Sequence, residues 1–535
     1  MSKNFTNFFE MKKYSRGFNV QTNQLTQDRS EEIDSQDIKR VIKIAGIRAD
    51  RAVSNDDRNH VLSNLTGKYF SSYKAAKNES ELIFSKLEKK LEEADKALYK
   101  IYNGEKNENG EDVNGIFSEV IDVIKAYGGV ENGIDIAIES SISEKNLLAD
   151  NTNLSYRQGE DCTLPETYNG LGYLNLIGIL FEIETKIQEL FEQPADINIL
   201  YIEEPEAHTH PQLQYIFIRN IKSHINKRKS KLLAEKNKQL QILITSHSSH
   251  IVSECNFDDI IYFKKDENTV KAKSFNSLKE EYFGEDQKGF KFVKQYLTLN
   301  RSELFFADKV ICIEGDTERI LMPAMMQKID EQKTTDGSIP LLSQNISIIE
   351  VGAHSHIFIP LFKFLGIKVL IITDIDAAKK NDSGKYVKCH PRDATYTSNA
   401  SIKTFFSESK LSTSNNQFKD LINKPPENKI KNNLRIAYQI PEPNDEYQAS
   451  SFEDAFISLN KNFILKNKDG FYEYGALKDF DNQEITSGDY YNFALNNIEK
   501  KSAFASSILY FDDEINSGWN VPHYIAEGLT WIQDN

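Results

Sequence analysis

The sequence predicts an α/β fold in which helices alternate with short, buried, mostly parallel strands. Three observations carry that reading. Lys309-Val310-Ile311-Cys312-Ile313 and Ile367 through Ile372 are compact apolar runs that stop abruptly at carboxylates, as central parallel strands do at the carboxyl edge of a sheet. Ile197 through Ile202 and Gln241 through Thr245 repeat the pattern earlier in the chain, closing on Glu203-Glu204 and on Ser246-His247-Ser248. After the third of these strands in chain order, Ile320, Leu321 and Met325 fall at helical spacing, so Thr317 to Ile329 reads as a crossover helix.

Ligands and catalytic groups gather at the carboxyl edge of an open α/β sheet. Ile313 is followed by Glu314-Gly315-Asp316-Thr317-Glu318, and Ile372 by Thr373-Asp374-Ile375-Asp376. Gly315 permits a tight turn, which sets Glu318 one helical turn beyond Glu314 and on the side facing the same edge. Carboxylates crowded in this way raise one another's pKa unless cations occupy the gap, and hard oxygen ligands suit Mg²⁺ or Mn²⁺ rather than zinc. An ordinary helix cap or a chance Asp-x-Asp loop explains either block alone. The two in this order, with strand and helix signals between them, are much more specific.

Together they resemble the Toprim domain shared by topoisomerases, primases and OLD-family nucleases. That resemblance implies Glu314 in general acid/base or metal chemistry and Asp374 and Asp376 as metal ligands, with Glu318 beside them. Ser450-Ser451-Phe452-Glu453-Asp454 is similar to the Ser-Phe-Glu segment of OLD nucleases, and Lys500-Lys501-Ser502-Ala503-Phe504 to their late lysine helix. On this likeness Glu453 joins the metal cluster and Lys501 stabilises charge developing on the phosphate, with Lys500 competing for the role. The likeness further implies a two-metal hydrolysis of DNA, with no covalent tyrosine required. Lys379, Lys380, Lys385, Lys388 and Arg392 come directly after the Asp-x-Asp and are candidate contacts to DNA phosphates.

The first half resembles the ABC-type ATPases in the form used by the OLD group. Glu203 would then support Mg²⁺, Glu204 would polarise an attacking water, and His247 would occupy the switch position near a γ-phosphate. Asn169-Gly170-Leu171-Gly172 resembles the divergent signature loop, whose backbone N–H groups meet a phosphate across a dimer. His210 and His250 read as packing or capping residues. No Gly-x-x-x-x-Gly-Lys-Ser/Thr occurs, so the expectation is an incomplete ABC-type module: truncated, half of a split protein, or degenerate. ATP stays a possible cofactor, one that this chain alone is not expected to hold well.

The 535 residues are enough for two or three domains. Residues 1–40 are polar. Residues 41–300 read as the incomplete ATPase-like domain, with a helical arm over about 74–150 marked by Leu82, Leu87, Leu91, Ala94 and Leu98. Residues 301–535 read as the Toprim domain. The absence of a long apolar run or a signal peptide argues against membrane insertion and secretion and for the cytoplasm. Cys162, Cys255, Cys312 and Cys389 are far apart and read as reduced packing residues. A net charge of −15 does not by itself suggest a nucleic-acid partner. The expected function is a metal-dependent DNA endonuclease of the OLD/Toprim type, set by resemblance in anti-phage defence beside Gabija-type and retron-associated systems. A homo-oligomer, with a helicase or retron nucleic acid as partner, is expected with it. The rival reading is a non-catalytic, nucleotide-gated DNA clamp.

Overall fold

The computed structural model describes residues 14–19, 21–25, 31–50, 65–66, 68–69, 81–107, 109–126, 137–140, 155–158, 162–165, 171–233, 239–266, 268–282, 287–300, 302–332, 337–407, 416–512 and 518–534. It divides into two compact units, Met1–Glu254 and Cys255–Asn535.

The core of the first unit is a parallel sheet. Strand β1 (Ile42–Ile47) is the strand expected there, and the chain continues through helix α1 (Glu81–Asn103) and helix α2 (Leu171–Glu192) to β2 (Ile197–Glu203), α3 (Pro211–Leu233) and β3 (Gln239–Thr245). The strand order is β3-β2-β1, with Ile197 opposite both Ile42 and Gln239. Alternate residues of β2 are buried, Leu200 and Ile202 among them, beside Ile179, Ile183 and Ile187 of α2. Helix α1 takes in all five apolar positions that mark the expected arm, Leu82 through Leu98. Gly104, at φ +91°, ends α1, and the chain then forms a small hairpin in which Glu105 pairs with Val113.

The second unit opens with the antiparallel hairpin β4 (Ile261–Asp266) and β5 (Thr269–Ser274). Its main sheet comprises β6 (Lys309–Ile313), β7 (Ile346–Glu350), β8 (Lys368–Ile372), β12 (Ile430–Lys431) and β13 (Leu434–Ala437), in the order β7-β6-β8-β13-β12. All pairs are parallel except β12–β13. Helix α4 (Asp316–Gln332) follows β6 and α5 (Ser355–Leu365) precedes β8, the right pattern for crossovers in a parallel sheet. Between β8 and β12 lies a second, antiparallel sheet: β9 (Ala377–Lys380), flanked by β10 (Tyr386–Lys388) and β11 (Tyr396–Thr397). Helices α6 (Phe452–Leu459), α7 (Lys501–Tyr510) and α8 (His523–Gln533) complete the unit. One apolar core joins them to the sheet: Ile311, Ile313, Leu321, Leu370, Phe456, Phe504, Trp519 and Leu529 all belong to it.

The division lies upstream of residue 300. Phe275 packs edge-on against Phe305 and Phe364, and the Tyr282 hydroxyl donates to the Ile357 carbonyl at 2.8 Å, so the stretch from Cys255 folds as part of the second unit. Among the described residues no helix is long and apolar enough to cross a membrane. Among the described residues Cys312 and Cys389 are buried free thiols, while Cys162 has no described side chain.

Candidate active site

Four carboxylates meet at the carboxyl edge of the second unit's sheet. Glu314 follows β6, Glu318 lies in the first turn of α4, Asp374 follows β8, and Glu453 lies in the first turn of α6. Glu318 and Glu453 are only 5% and 3% exposed. Burial, together with the charges of Glu453 and Glu314, pushes the Glu318 pKa up to about 8. Asp374 is held well above the usual carboxylate range by burial and by Glu314, Glu318 and Glu453 in turn. These shifts require the four acids to share one electrostatic environment.

The surrounding hydrogen bonds hold Glu314, Asp374 and Glu453 in set directions. Glu314 accepts from the Thr373 hydroxyl at 2.7 Å and the Asp374 backbone N–H at 2.8 Å, both on Oε2. Asp374 accepts from Gln439 Nε2 at 2.7 Å and the Phe452 N–H at 3.0 Å, both on Oδ1. In both residues the hydrogen bonds fall on one oxygen, which anchors the side chain. Glu453 accepts from the Thr317 hydroxyl on Oε1 and from Lys501 Nζ on Oε2, each at 3.0 Å. Asp454 fixes the start of α6 by accepting from the Ser450 and Ser451 N–H groups, which presents the first-turn N–H of Phe452 to Asp374.

Lys501 is the cation of the cluster. Burial alone would lower its pKa, but the carboxylates of Glu453, Asp374 and Glu318 outweigh it and hold the ammonium above its usual range. Lys500 stands at the exposed N-cap of α7, whereas Lys501, one residue on, is the lysine that reaches Glu453. Among the described residues no three His, Cys, Asp or Glu side chains already stand at the spacing that would hold one ion together. The donor set suits a hard cation that takes one or two carboxylate oxygens and keeps water for its other positions.

The AAA ATPase domain family matches residues 1–252, and the TOPRIM domain of overcoming-lysogenization-defect-like proteins matches residues 305–376. The chain carries an AAA ATPase domain followed by an OLD-like TOPRIM domain. The chain is 32% identical over 426 residues to the protein named endonuclease GajA of Bacillus cereus strain HuB5-5, an alignment covering 75% of this chain and 58% of that relative. It is 26% identical over 204 residues to the Old nuclease of Escherichia phage P2, covering 38% of this chain and 31% of the relative. With the OLD nuclease of Thermus scotoductus it shares 25% over 232 residues, 42% of this chain and 38% of the relative. The chain thus spans 31% to 58% of these relatives' lengths.

The TOPRIM match ends before Glu453 and Lys501, yet the fold brings both beside Glu314 and Asp374. Asp376 is placed differently. The resemblance makes both acids metal ligands; here the backbone at Asp376 turns left-handed, at φ +50°, and its carboxylate pairs with Lys388 at 3.4 Å. Lys379 and Lys380 lie on β9 of the antiparallel sheet and Lys388 on β10, with Lys385 just before it. Lys380 sits over the Tyr386 and Tyr396 rings, and Arg392 lies 3.8 Å from Asp489.

In the AAA ATPase domain, Glu203 ends β2 opposite Thr245 and accepts from the Ala49 N–H at 3.1 Å. Glu204, at φ +38°, stands 3.5 Å from His247. Glu206, to which the sequence pattern assigns no role, accepts from the Ser246 hydroxyl and the His247 N–H, leaving Oε2 buried with no partner among the described residues. A Cβ on Gly172 would stand 3.0 Å from the His208 carbonyl, so close chain packing accounts for that glycine. Asn169 and Gly170 lie outside the described residues. His250 bonds the Tyr215 hydroxyl at 2.8 Å, and His210 accepts from the Gln212 N–H at the start of α3.

The residues that sequence reasoning missed are the supporting ones: Thr317, Thr373, Asn399, Gln439 and Tyr524. Asn399 donates to both the Thr373 hydroxyl and the Asp374 carbonyl at 2.9 Å. Gln439 had a signal of a kind. It ends the apolar run Leu434 to Tyr438 as the acids end their own strands.

Proposed function

We propose that the TOPRIM domain hydrolyses phosphodiester bonds in DNA with Mg²⁺ or Mn²⁺. The observation that carries this reading is the buried cluster of Glu314, Glu318, Asp374 and Glu453 with Lys501 against it. A buried set of acids that raise one another's pKa is costly as bare anions, and divalent cations offset that cost. Bound there, such a cation supplies Lewis-acid charge and lowers the pKa of its water. Glu314 and Asp374 offer it carboxylate oxygens, and Glu318 and Glu453 add negative charge behind them. Lys501 supplies an ammonium to the phosphate oxygens as charge develops there. Asp376 enters from the outer edge, where it now holds Lys388. Lys379, Lys380, Lys385, Lys388 and Arg392 grip the DNA backbone by charge.

The AAA ATPase domain gates the reaction through its nucleotide edge of Glu203, Glu204 and His247, with Gly170 and Gly172 of a second copy completing it in a homo-oligomer. The biological setting is defence against phage, in company with a helicase or a retron nucleic acid. The test is cleavage of supercoiled plasmid by purified protein with Mg²⁺, Mn²⁺ or EDTA, beside Glu314→Ala. Metal-dependent nicking that the variant lacks is expected. Nicking by Glu314→Ala at the wild-type rate would end the assignment.

A further inference from the structure

Resting on that reading, we infer that the last helix, α8, sets the position of Asp374 through Tyr524 and Gln439, making these two positioning residues for the metal site. The Gln439 side chain is fully buried and all of its hydrogen-bonding capacity but one lone pair is committed. Its Oε1 accepts from the Ile375 N–H at 2.7 Å, while Nε2 donates to Asp374 Oδ1 at 2.7 Å and to the Tyr524 hydroxyl oxygen at 3.1 Å. A flipped amide would set its oxygen against the Asp374 carboxylate and its NH₂ against the Ile375 N–H, so only one orientation satisfies all three contacts. The amide thereby fixes which oxygen of Asp374 is tied down and which stays available to a cation.

Tyr524 is itself held from far away. It occupies the first turn of α8, and that helix is fastened along its length to the strands that carry the acids. At the middle, a Cβ on Gly528 would stand 2.9 Å from a Leu370 methyl of β8, so glycine lets the helix lie against the Asp374 strand without displacing that side chain. Beside it, Glu527 pairs with Arg435 of β13 at 2.9 Å. At the carboxyl end, Lys309, first residue of β6, donates to the Ile532, Gln533 and Asp534 carbonyls. Lys368, first residue of β8, donates to those of Trp531 and Asp534. Ammonium groups on a helix's last carbonyls complement its dipole. The helix therefore runs from the site back to the amino edge of the sheet, where the strands bearing Glu314 and Asp374 begin, and acts as a strut whose tip is the Tyr524 hydroxyl.

Supporting residues around a metal site change affinity or activity by about 10- to 100-fold when lost. Gln439→Leu keeps the volume and removes the amide; Tyr524→Phe removes only the hydroxyl. The experiment is titration of the full-length protein with Mn²⁺, read by calorimetry in the absence of DNA, together with thermal unfolding in EDTA. The expected result is about a 10-fold weaker Mn²⁺ affinity for Gln439→Leu. Tyr524→Phe is expected to show a smaller loss, and the double variant no more than Gln439→Leu alone. Because Tyr524→Phe leaves the core packing intact, its loss of affinity is read on a folded protein whose unfolding temperature in EDTA stays near wild type. Equal Mn²⁺ affinity in wild type and both variants would overturn the inference while leaving the nuclease reading standing. A wild type that neither binds Mn²⁺ nor cuts DNA would overturn both.

Discussion

Both units carry a parallel sheet whose strands end in acidic residues, but they place those acids in different surroundings. Glu204 and His247 are 42% and 81% exposed, so water reaches both side chains and screens their charges. Glu318 and Glu453 are almost wholly buried, and their charges act on Asp374 as well as on each other. The same strand-to-acid pattern therefore yields two kinds of site. Water solvates the first edge, whereas the second is costly to hold as a set of bare anions. An acid after a buried strand marks the edge of a sheet.

Substitution at the two edges gives the widest separation. Glu314→Ala or Asp374→Ala is expected to lower plasmid cutting by more than about 100-fold, beyond the loss of a supporting residue. Glu204→Gln, assayed without nucleotide, is expected to leave cutting within about twofold and stability within about 0.5 kcal/mol, as for an exposed side chain. Rates that fell equally at both edges would erase the contrast. A sharper probe is Lys501→Ala, expected to cost about 100-fold in turnover, as removal of one charge-stabilising donor does. It leaves Glu453 buried without its ion pair, so raised Mn²⁺ should recover part of the loss.

Proton linkage supplies the mildest of these tests. Glu318 has a folded-state pKa of about 8 against an ordinary 4.5, so between those values the folded protein binds more protons than the unfolded chain. Stability measured in EDTA should therefore fall as pH rises through this window, and Glu318→Gln should flatten the slope. Saturating Mn²⁺ should flatten it too, because the cation takes over the role of the proton. A stability profile in EDTA that rises across the window would contradict the burial argument.

Much of this was legible in the sequence because it is local. The run Lys309 to Ile313 is a strand as read, and the one beginning at Ile367 starts a single residue later, at Lys368. The crossover helix expected over Thr317 to Ile329 covers Asp316–Gln332. Glu314, Glu318 and Asp374 were found because each follows a buried strand within a few residues. Glu453 and Lys501 are singled out only by likeness to a family, and nothing in their spacing predicts their 3.0 Å contact. Gln439 was out of reach because its partnership with Asp374 depends on β13 lying next to β8, a strand order that hydrophobic periodicity does not encode. Tyr524 was hidden for another reason. In an apolar helix a tyrosine reads as core, and its hydroxyl acquires meaning only when the helix is laid against the sheet. The left-handed turn at Asp376 likewise could not be read from Asp-x-Asp alone.

The most direct test of the metal-dependent cutting site is a time course of supercoiled plasmid with the wild-type chain, titrated with Mn²⁺ and quenched with EDTA, with Lys501→Ala and Glu204→Gln in parallel. The account predicts nicked product that rises with Mn²⁺, stops on chelation, falls steeply in Lys501→Ala and persists in Glu204→Gln. Cutting that continues in EDTA, or that Lys501→Ala leaves unchanged, would contradict it.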